Sequence, residues 1–227
     1  YRINSRMSLL IFNEGEEKRL YAILGSLLFV AIALVSGVLA HHGRGSTKIY
    51  FLSVGQGDSS LVEFSNGARL LIDGGPSGPK LLEALSKILP PEDRYIDLVM
   101  MSHPQLDHFG GFVDLLKQYR VGVFLGSLRK AELPAYKELH ALIQGGEIPY
   151  VQLLEGSSLA IGDAKIDMLG PSRTEVLSGE LNDTMLVALL RTPDFSALFA
   201  GDIDQKIEER IATKYDVDVD VLKVAHH

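Results

Sequence analysis

Between Leu20 and Ala40 the chain runs for 21 residues (LYAILGSLLFVAIALVSGVLA) without a charged side chain. As a helix rising about 1.5 Å per residue, such a run is roughly 30 Å long, the thickness of a bilayer's hydrocarbon core. A helix that is apolar all round has no solvent face, so it does not suit the surface of a soluble domain. A cleaved secretory signal is the alternative, with Val38-Leu39-Ala40 as a small-residue cleavage site. Signal cores are shorter, about 7–15 residues, so the expectation is an uncleaved membrane anchor.

The flanking charges orient it. Lys18 and Arg19 abut the run, with Arg2 and Arg6 further out; the other side offers Arg44 and Lys48. This bias points the N-terminus into the cytoplasm and the remainder outside the cytoplasmic membrane. The expected organisation is a cytoplasmic segment at 1–19, a transmembrane anchor at 20–40, a polar, Gly-rich linker at 41–47 (HHGRGST) and a folded domain at 48–227.

The domain is acidic. Five of the 22 Lys+Arg and three of the 29 Asp+Glu precede Lys48, which leaves 17 basic and 26 acidic residues and a net charge of −9. That balance argues against a broad electrostatic clamp on nucleic acid. The chain has no Cys, which excludes disulfides and thiolate metal sites. At 46% hydrophobic it is too apolar to be disordered.

From Lys48 onward short apolar, β-branched runs alternate with amphipathic stretches, and Gly or Pro marks nearly every boundary. Strands are predicted at Lys48–Val54, Ser60–Phe64, Ala68–Asp73, Ile96–Met101, Val121–Phe124, Tyr150–Leu154, Ala164–Leu169, Thr184–Arg191, Ser196–Ala200 and Val219–Val224. Helices are predicted at Lys80–Leu89, Gly111–Tyr119, Ala135–Gln144 and Gln205–Lys214. This order suggests sheets sandwiched by helices.

Three candidate sites follow apolar strands, where loops from one sheet edge can meet. Ser102–Gly111 (SHPQLDHFGG) puts His103, Asp107 and His108 within six residues. Imidazole nitrogen and carboxylate oxygen suit zinc or manganese; the alternative is a polar loop in which Asp107 caps the next helix. Asp202 closes the run Phe199-Ala200-Gly201-Asp202 and could equally cap a helix. His226 and His227 end the chain, and adjacent side chains diverge, so one of the two suffices. His140 reads as a surface residue of an amphipathic helix. Gly55-Gln56-Gly57-Asp58 lacks the third glycine and the following helix of a dinucleotide loop, and there is no phosphate loop or serine-hydrolase elbow, so no nucleotide cofactor is expected.

At these residues the sequence resembles the metallo-β-lactamase fold, and within it the hydrolase-like domain of ComEC-type DNA-uptake competence proteins. The resemblance rests on Phe51–Asp58 (FLSVGQGD), Leu70–Gly75 (LLIDGG), Ser102–Gly111, Leu198–Asp202 (LFAGD) and Asp220–His227 (DVLKVAHH), in that order. It implies an α/β fold, a four-layer αββα sandwich, C-terminally incomplete and here preceded by one transmembrane helix. It implies one or two divalent metal ions, zinc or manganese. Asp107, His108 and His227 would hold one metal. Asp202 would bridge to a second held partly by His103, with His226 the other candidate of the terminal pair. Asp58 and Asp73 would support ligands or form turns, and Asn182 and Asp183 lie where many relatives place a further ligand. The broad pattern has His where this chain has Gln105, and an amide oxygen is a weak ligand, so the site beside His103 is expected to be poor.

The implied activity is metal-assisted hydrolysis of a phosphodiester, with Asp107 and Asp202 as catalytic residues and single-stranded or double-stranded DNA as partner, outside the cytoplasm at the membrane. Two alternatives carry different signatures. A hydrolase of a small ester, lactone or thioester needs a closed pocket. A degenerate binding module need not retain metal. The sequence leaves the oligomeric state open.

Overall fold

The computed structural model describes residues 14–42, 45–127, 129–177 and 184–224. The chain divides into two compact units, Tyr1–Arg44 and Gly45–His227. In the first, helix α1 spans Glu14–His42 and so takes in His41 and His42, which the sequence assigns to the linker. Its side chains from Tyr21 to Leu34 are exposed, including Phe29 at 74%. Among the described residues, no helix is long and apolar enough to cross a membrane.

The second unit is built from two sheets. Strands β1 (Lys48–Phe51), β2 (Ser60–Glu63), β3 (Arg69–Ile72), β4 (Tyr95–Met101), β5 (Arg120–Gly126) and β6 (Tyr150–Gln152) lie in that order in the first. Its first three strands are antiparallel neighbours, and β3 through β6 run parallel. The second sheet has the order β11 (Val221–Lys223), β10 (Ser196–Phe199), β9 (Val187–Arg191), β8 (Ala164–Gly170), β7 (Ser158–Ile161). It is antiparallel apart from the parallel pair β10 and β11.

Successive strand residues point to opposite faces, and here both faces are apolar. Leu70, Ile72 and Met100 of the first sheet meet Ile166, Met168, Leu190 and Phe199 of the second in one buried core. The alternate residues Leu61, Leu71, Val99 and Met101 pack under α2 (Gly78–Ser86), α3 (Leu106–Gln118) and α4 (Pro134–Gly145). On the other side Val187, Leu189 and Leu198 pack against Ile207 and Ile211 of α6 (Gln205–Lys214). The layers are therefore helix, sheet, sheet, helix. Strands covered on both faces read as continuous apolar runs, which is how β4 and β9 appear in the sequence.

Helix α6 has the predicted bounds, while strand ends shift by a few residues. The helix predicted over Gly111–Tyr119 begins instead at Leu106, so Asp107 and His108 sit in its first turn and not in a loop. Gly110 and Gly111 lie inside it, where the backbone of another loop comes too near for a side chain. A Cβ on Gly111 would stand 2.0 Å from the carbonyl oxygen of Gly74. Strand β7 and the one-turn helix α5 (Arg173–Val176) have no counterpart among the predicted elements.

Candidate metal centre

Strand β4 ends at Met101, and the chain turns through Ser102 and His103 into α3. Strand β10 ends at Phe199 and delivers Asp202 from the opposite sheet. His103, His108 and Asp202 are all fully buried, and one ligand atom from each lies within 4.8 Å of the others. The two imidazole rings are 4.2 Å apart, and His108 Nε2 is 3.2 Å from Asp202 Oδ2.

Asp73 organises this group from beneath. It lies just after β3 with a φ of 58° and is itself buried. Its Oδ1 accepts the Ser102 backbone N–H at 2.7 Å, and its Oδ2 accepts the Ser102 hydroxyl at 2.7 Å and His108 Nδ1 at 2.9 Å. With its proton on Asp73, Ser102 Oγ accepts from His103 Nδ1 at 3.0 Å. With Nδ1 of both rings engaged, His108 Nε2 meets Asp202 and His103 Nε2 is left uncommitted, the arrangement in which a carboxylate orients a metal-binding imidazole.

Burial lowers the pKa of His103, and the neighbouring His108 lowers it further, so His103 stays neutral. Burial also disfavours the charged form of His108, but the carboxylates of Asp73 and Asp202 outweigh it and push His108 up to about 10. A site that gathers two buried carboxylates and so holds a proton on an imidazole is one that a cation complements. His103 Nε2 is buried without a hydrogen-bond partner, a nitrogen lone pair in need of one. The donor set, two imidazoles and a carboxylate, fits zinc or manganese.

The other predicted residues fall around this centre. Asp107 is half-buried, with its carboxylate 4.0 Å from His108 Nε2, beside the trio and not within it. Gln105 occupies the position before α3 and makes no side-chain capping bond there. Asp58 is engaged elsewhere: both of its carboxylate oxygens accept from Lys223 Nζ at 2.6 Å, an ion pair joining the β1–β2 loop to β11 across the two sheets. Its backbone N–H donates to the Asp107 carbonyl at 3.3 Å. Gly57 permits that approach, since a Cβ there would stand 2.2 Å from the same oxygen. Asp202 is not a helix cap; Asp204 caps α6, accepting from Ile207 N–H. Asn182, Asp183, His226 and His227 lie outside the described residues.

The sequence reading passed over Ser102, which links Asp73 to both histidines, and Met185, whose sulfur accepts the Asp202 N–H at 2.6 Å. Ser102 precedes the histidine block directly, which is a usable signal. Met185 carries none.

This architecture is that of a known superfamily. A model of the Metallo-beta-lactamase superfamily matches residues 52–222. The chain belongs to the metallo-β-lactamase superfamily. It is homologous to ComE operon protein 3 of Bacillus subtilis (strain 168), 25% identical over 200 residues that cover 79% of this chain and 25% of that protein. A shorter match, 47% identical over 58 residues, covers 26% of this chain and 21% of the Anti-Pycsar protein Apyc1 of Bacillus phage 010DV004. The chain thus spans about a quarter or less of the curated relatives it matches. Among solved structures it superimposes on MEM-A1, a subclass B3 metallo-beta-lactamase isolated from a soil metagenome library. The TM-score is 0.55 at 19% identity, over 81% of this chain and 78% of that one. At this level the chain has the superfamily's fold, and among the described residues a buried group of His103, His108 and Asp202 is placed to hold a metal ion.

Proposed function

We propose that this protein is a metal-dependent phosphodiesterase, anchored in the cytoplasmic membrane through Leu20–Ala40, that acts on DNA outside the cytoplasm. The observation that carries the hydrolytic part is the buried trio of His103, His108 and Asp202, whose ligand atoms lie within 4.8 Å of one another. His103, His108 and Asp202 would hold the metal, with Asp107 beside them. When bound, such a metal supplies Lewis acidity and a water whose pKa is lowered toward about 7.

The chain's own residues do the rest. Asp73 and Ser102 keep both imidazoles in the tautomer that presents Nε2. Asp107, half-buried in the wall of the adjoining cleft, would accept a proton from an attacking water. Arg129 and Lys130 line the same cleft of about 740 Å³ and supply positive charge in a domain whose net charge is −9. A phosphodiester is the hydrolysable group that such cations favour. DNA as the source of that bond rests on the resemblance to ComEC-type competence proteins. The anchor is supported by the uncharged run and by the exposed apolar side chains of Tyr21–Leu34 on α1.

The test is metal stoichiometry together with cleavage. The zinc- or manganese-loaded chain should retain one or two equivalents after desalting and cleave DNA, and Asp202→Ala should lose both. Metal retained equally by Asp202→Ala and Asp107→Ala would sink the site assignment. Gln105 favours a single tight metal, so one equivalent is the expected count, and Gln105→His should raise affinity for a second.

A further inference from the structure

Arg129 and Lys130, which line the cleft beside Asp107, are shared with a neighbouring pocket. That second pocket, of about 440 Å³, lies against α4 and β6. That volume lies within the range of small-molecule sites, roughly 300–1,000 Å³. One wall is aromatic, with Tyr136 and His140 one turn apart on α4 and Tyr150 at the start of β6, while Ile143, Ile148 and Glu147 also line the pocket. The rings of His140 and Tyr150 are near parallel, 28° apart, with centroids at 6.2 Å.

The tyrosines are held in place. Tyr136 donates to the Arg129 carbonyl at 3.3 Å, Tyr150 donates to the Ser127 carbonyl at 3.1 Å, and Tyr150 stacks on buried Phe124. These bonds tie the aromatic wall to the segment that carries the two cations. Lys130 is exposed and makes no ion pair among the described residues. The side chain of Gln144 adds amide donors and an acceptor to the pocket. A ligand filling both spaces therefore carries a planar ring at one end, hydrogen-bonding groups on its edge, and negative charge where Arg129 and Lys130 stand.

We infer that the pocket against α4 receives the base of a nucleotide whose phosphate occupies the neighbouring cleft beside Asp107. This deepens the phosphodiesterase reading and rests on it for the identity of the cleft's occupant. Stacking on an aromatic wall tolerates any base, and it contributes enough to change affinity by about tenfold for each base held.

The experiment uses the full chain in detergent micelles with a chelator present, so that binding is read without turnover. Two probes are titrated by calorimetry: a thymidine dinucleotide with one phosphodiester, and its abasic counterpart with the same phosphodiester. The dinucleotide should bind about tenfold tighter. His140→Ala should erase that difference and His140→Phe should keep it. Lys130→Glu should weaken both probes alike, by several-fold at low salt. Thermal unfolding of each variant checks that it folds, and Tyr150→Leu gives an independent removal of the wall.

Equal affinity for the two probes, no binding of either, or a preference that survives both His140→Ala and Tyr150→Leu overturns the inference. Thymidine 5′-monophosphate distinguishes the sources: tighter binding than the dinucleotide assigns a free nucleotide, and weaker binding assigns a strand. Hydrolysis by the zinc-loaded chain is measured separately. A base preference without any phosphodiester cleavage removes the enzymatic reading and leaves the pocket; cleavage with no base preference removes the pocket alone.

Discussion

Asp73 shows how one side chain can set a site without being exposed to it. Its two oxygens bond Ser102 and His108, and through Ser102 they fix His103 as well. Carboxylates behind metal-binding histidines typically govern affinity by about 10–100-fold. Asp73→Asn should therefore weaken zinc binding within that range in a competition titration against a chromophoric chelator, with unfolding still cooperative. Unchanged affinity would mean that packing alone orients the rings. Gly57 makes a second case at this scale. Its φ is 132°, and an added Cβ would stand 2.2 Å from the Asp107 carbonyl. Gly57→Ala should destabilise the domain by more than about 1 kcal/mol in urea unfolding, because both the φ and the contact penalise a side chain.

Among the elements, α6 is tied to the second sheet by a carboxylate. Glu155 accepts from Arg210 at 3.0 Å, from Lys214 at 2.9 Å and from the Tyr215 hydroxyl at 2.6 Å. Partial burial opposes its charge, but Tyr215, Lys214 and Arg210 together hold its carboxyl below the usual carboxylate range. A group with a lowered folded pKa adds stability that is fully present above its unfolded value, about 4.3, and is lost as pH falls through the folded value. Glu155→Gln should thus lower stability at pH 7 by about 1–3 kcal/mol, and the gap to the parent should shrink below pH 4. A gap that is constant with pH would show that the network acts through packing.

The element bounds also show where sequence reading stops. Apolar runs covered on both faces, such as β4, and the amphipathic period of α6 were legible because they follow from local pattern. The start of α3 was not: Gly110-Gly111 has the local signature of a break, and only the approach of Pro76 and Gly74 explains glycines within a helix. Strand β7 was missed because it is an edge strand, half exposed, with no continuous apolar run. His140 was read as surface because nothing in its neighbourhood along the chain announces Tyr150, which reaches it from β6.

In the whole molecule, the candidate centre draws its donors from both sheets, His103 and His108 beside the first and Asp202 at the end of β10 in the second. A metal held there would join the sheets, and binding that favours the folded state raises stability by about 2.7 kcal/mol at 100 times the dissociation constant. Zinc should raise the thermal midpoint of the parent by several degrees, reversibly with chelator, and leave Asp202→Ala unmoved. The Asp58–Lys223 ion pair and the Leu186 N–H bond to the Ser102 carbonyl also join the sheets on this side. At the same scale, the proposed anchor should keep the chain in the membrane pellet through a carbonate wash; release into the supernatant would remove it.

The residue types at the site and the strands that lead to them can be read along the chain, because metal ligands, strand periodicity and glycine-rich turns leave short-range marks. The order of those marks supported the superfamily. The tertiary structure alone decided which candidates converge. His108 and Asp202 are 94 residues apart in the chain and 3.2 Å apart in space. Asp58 turns to Lys223, Asp73 turns to His108, and Asp204 takes the capping role that would otherwise fall to Asp202. Those assignments depend on which loops the packing of two sheets brings to a common edge, and no local pattern in the chain encodes that distance.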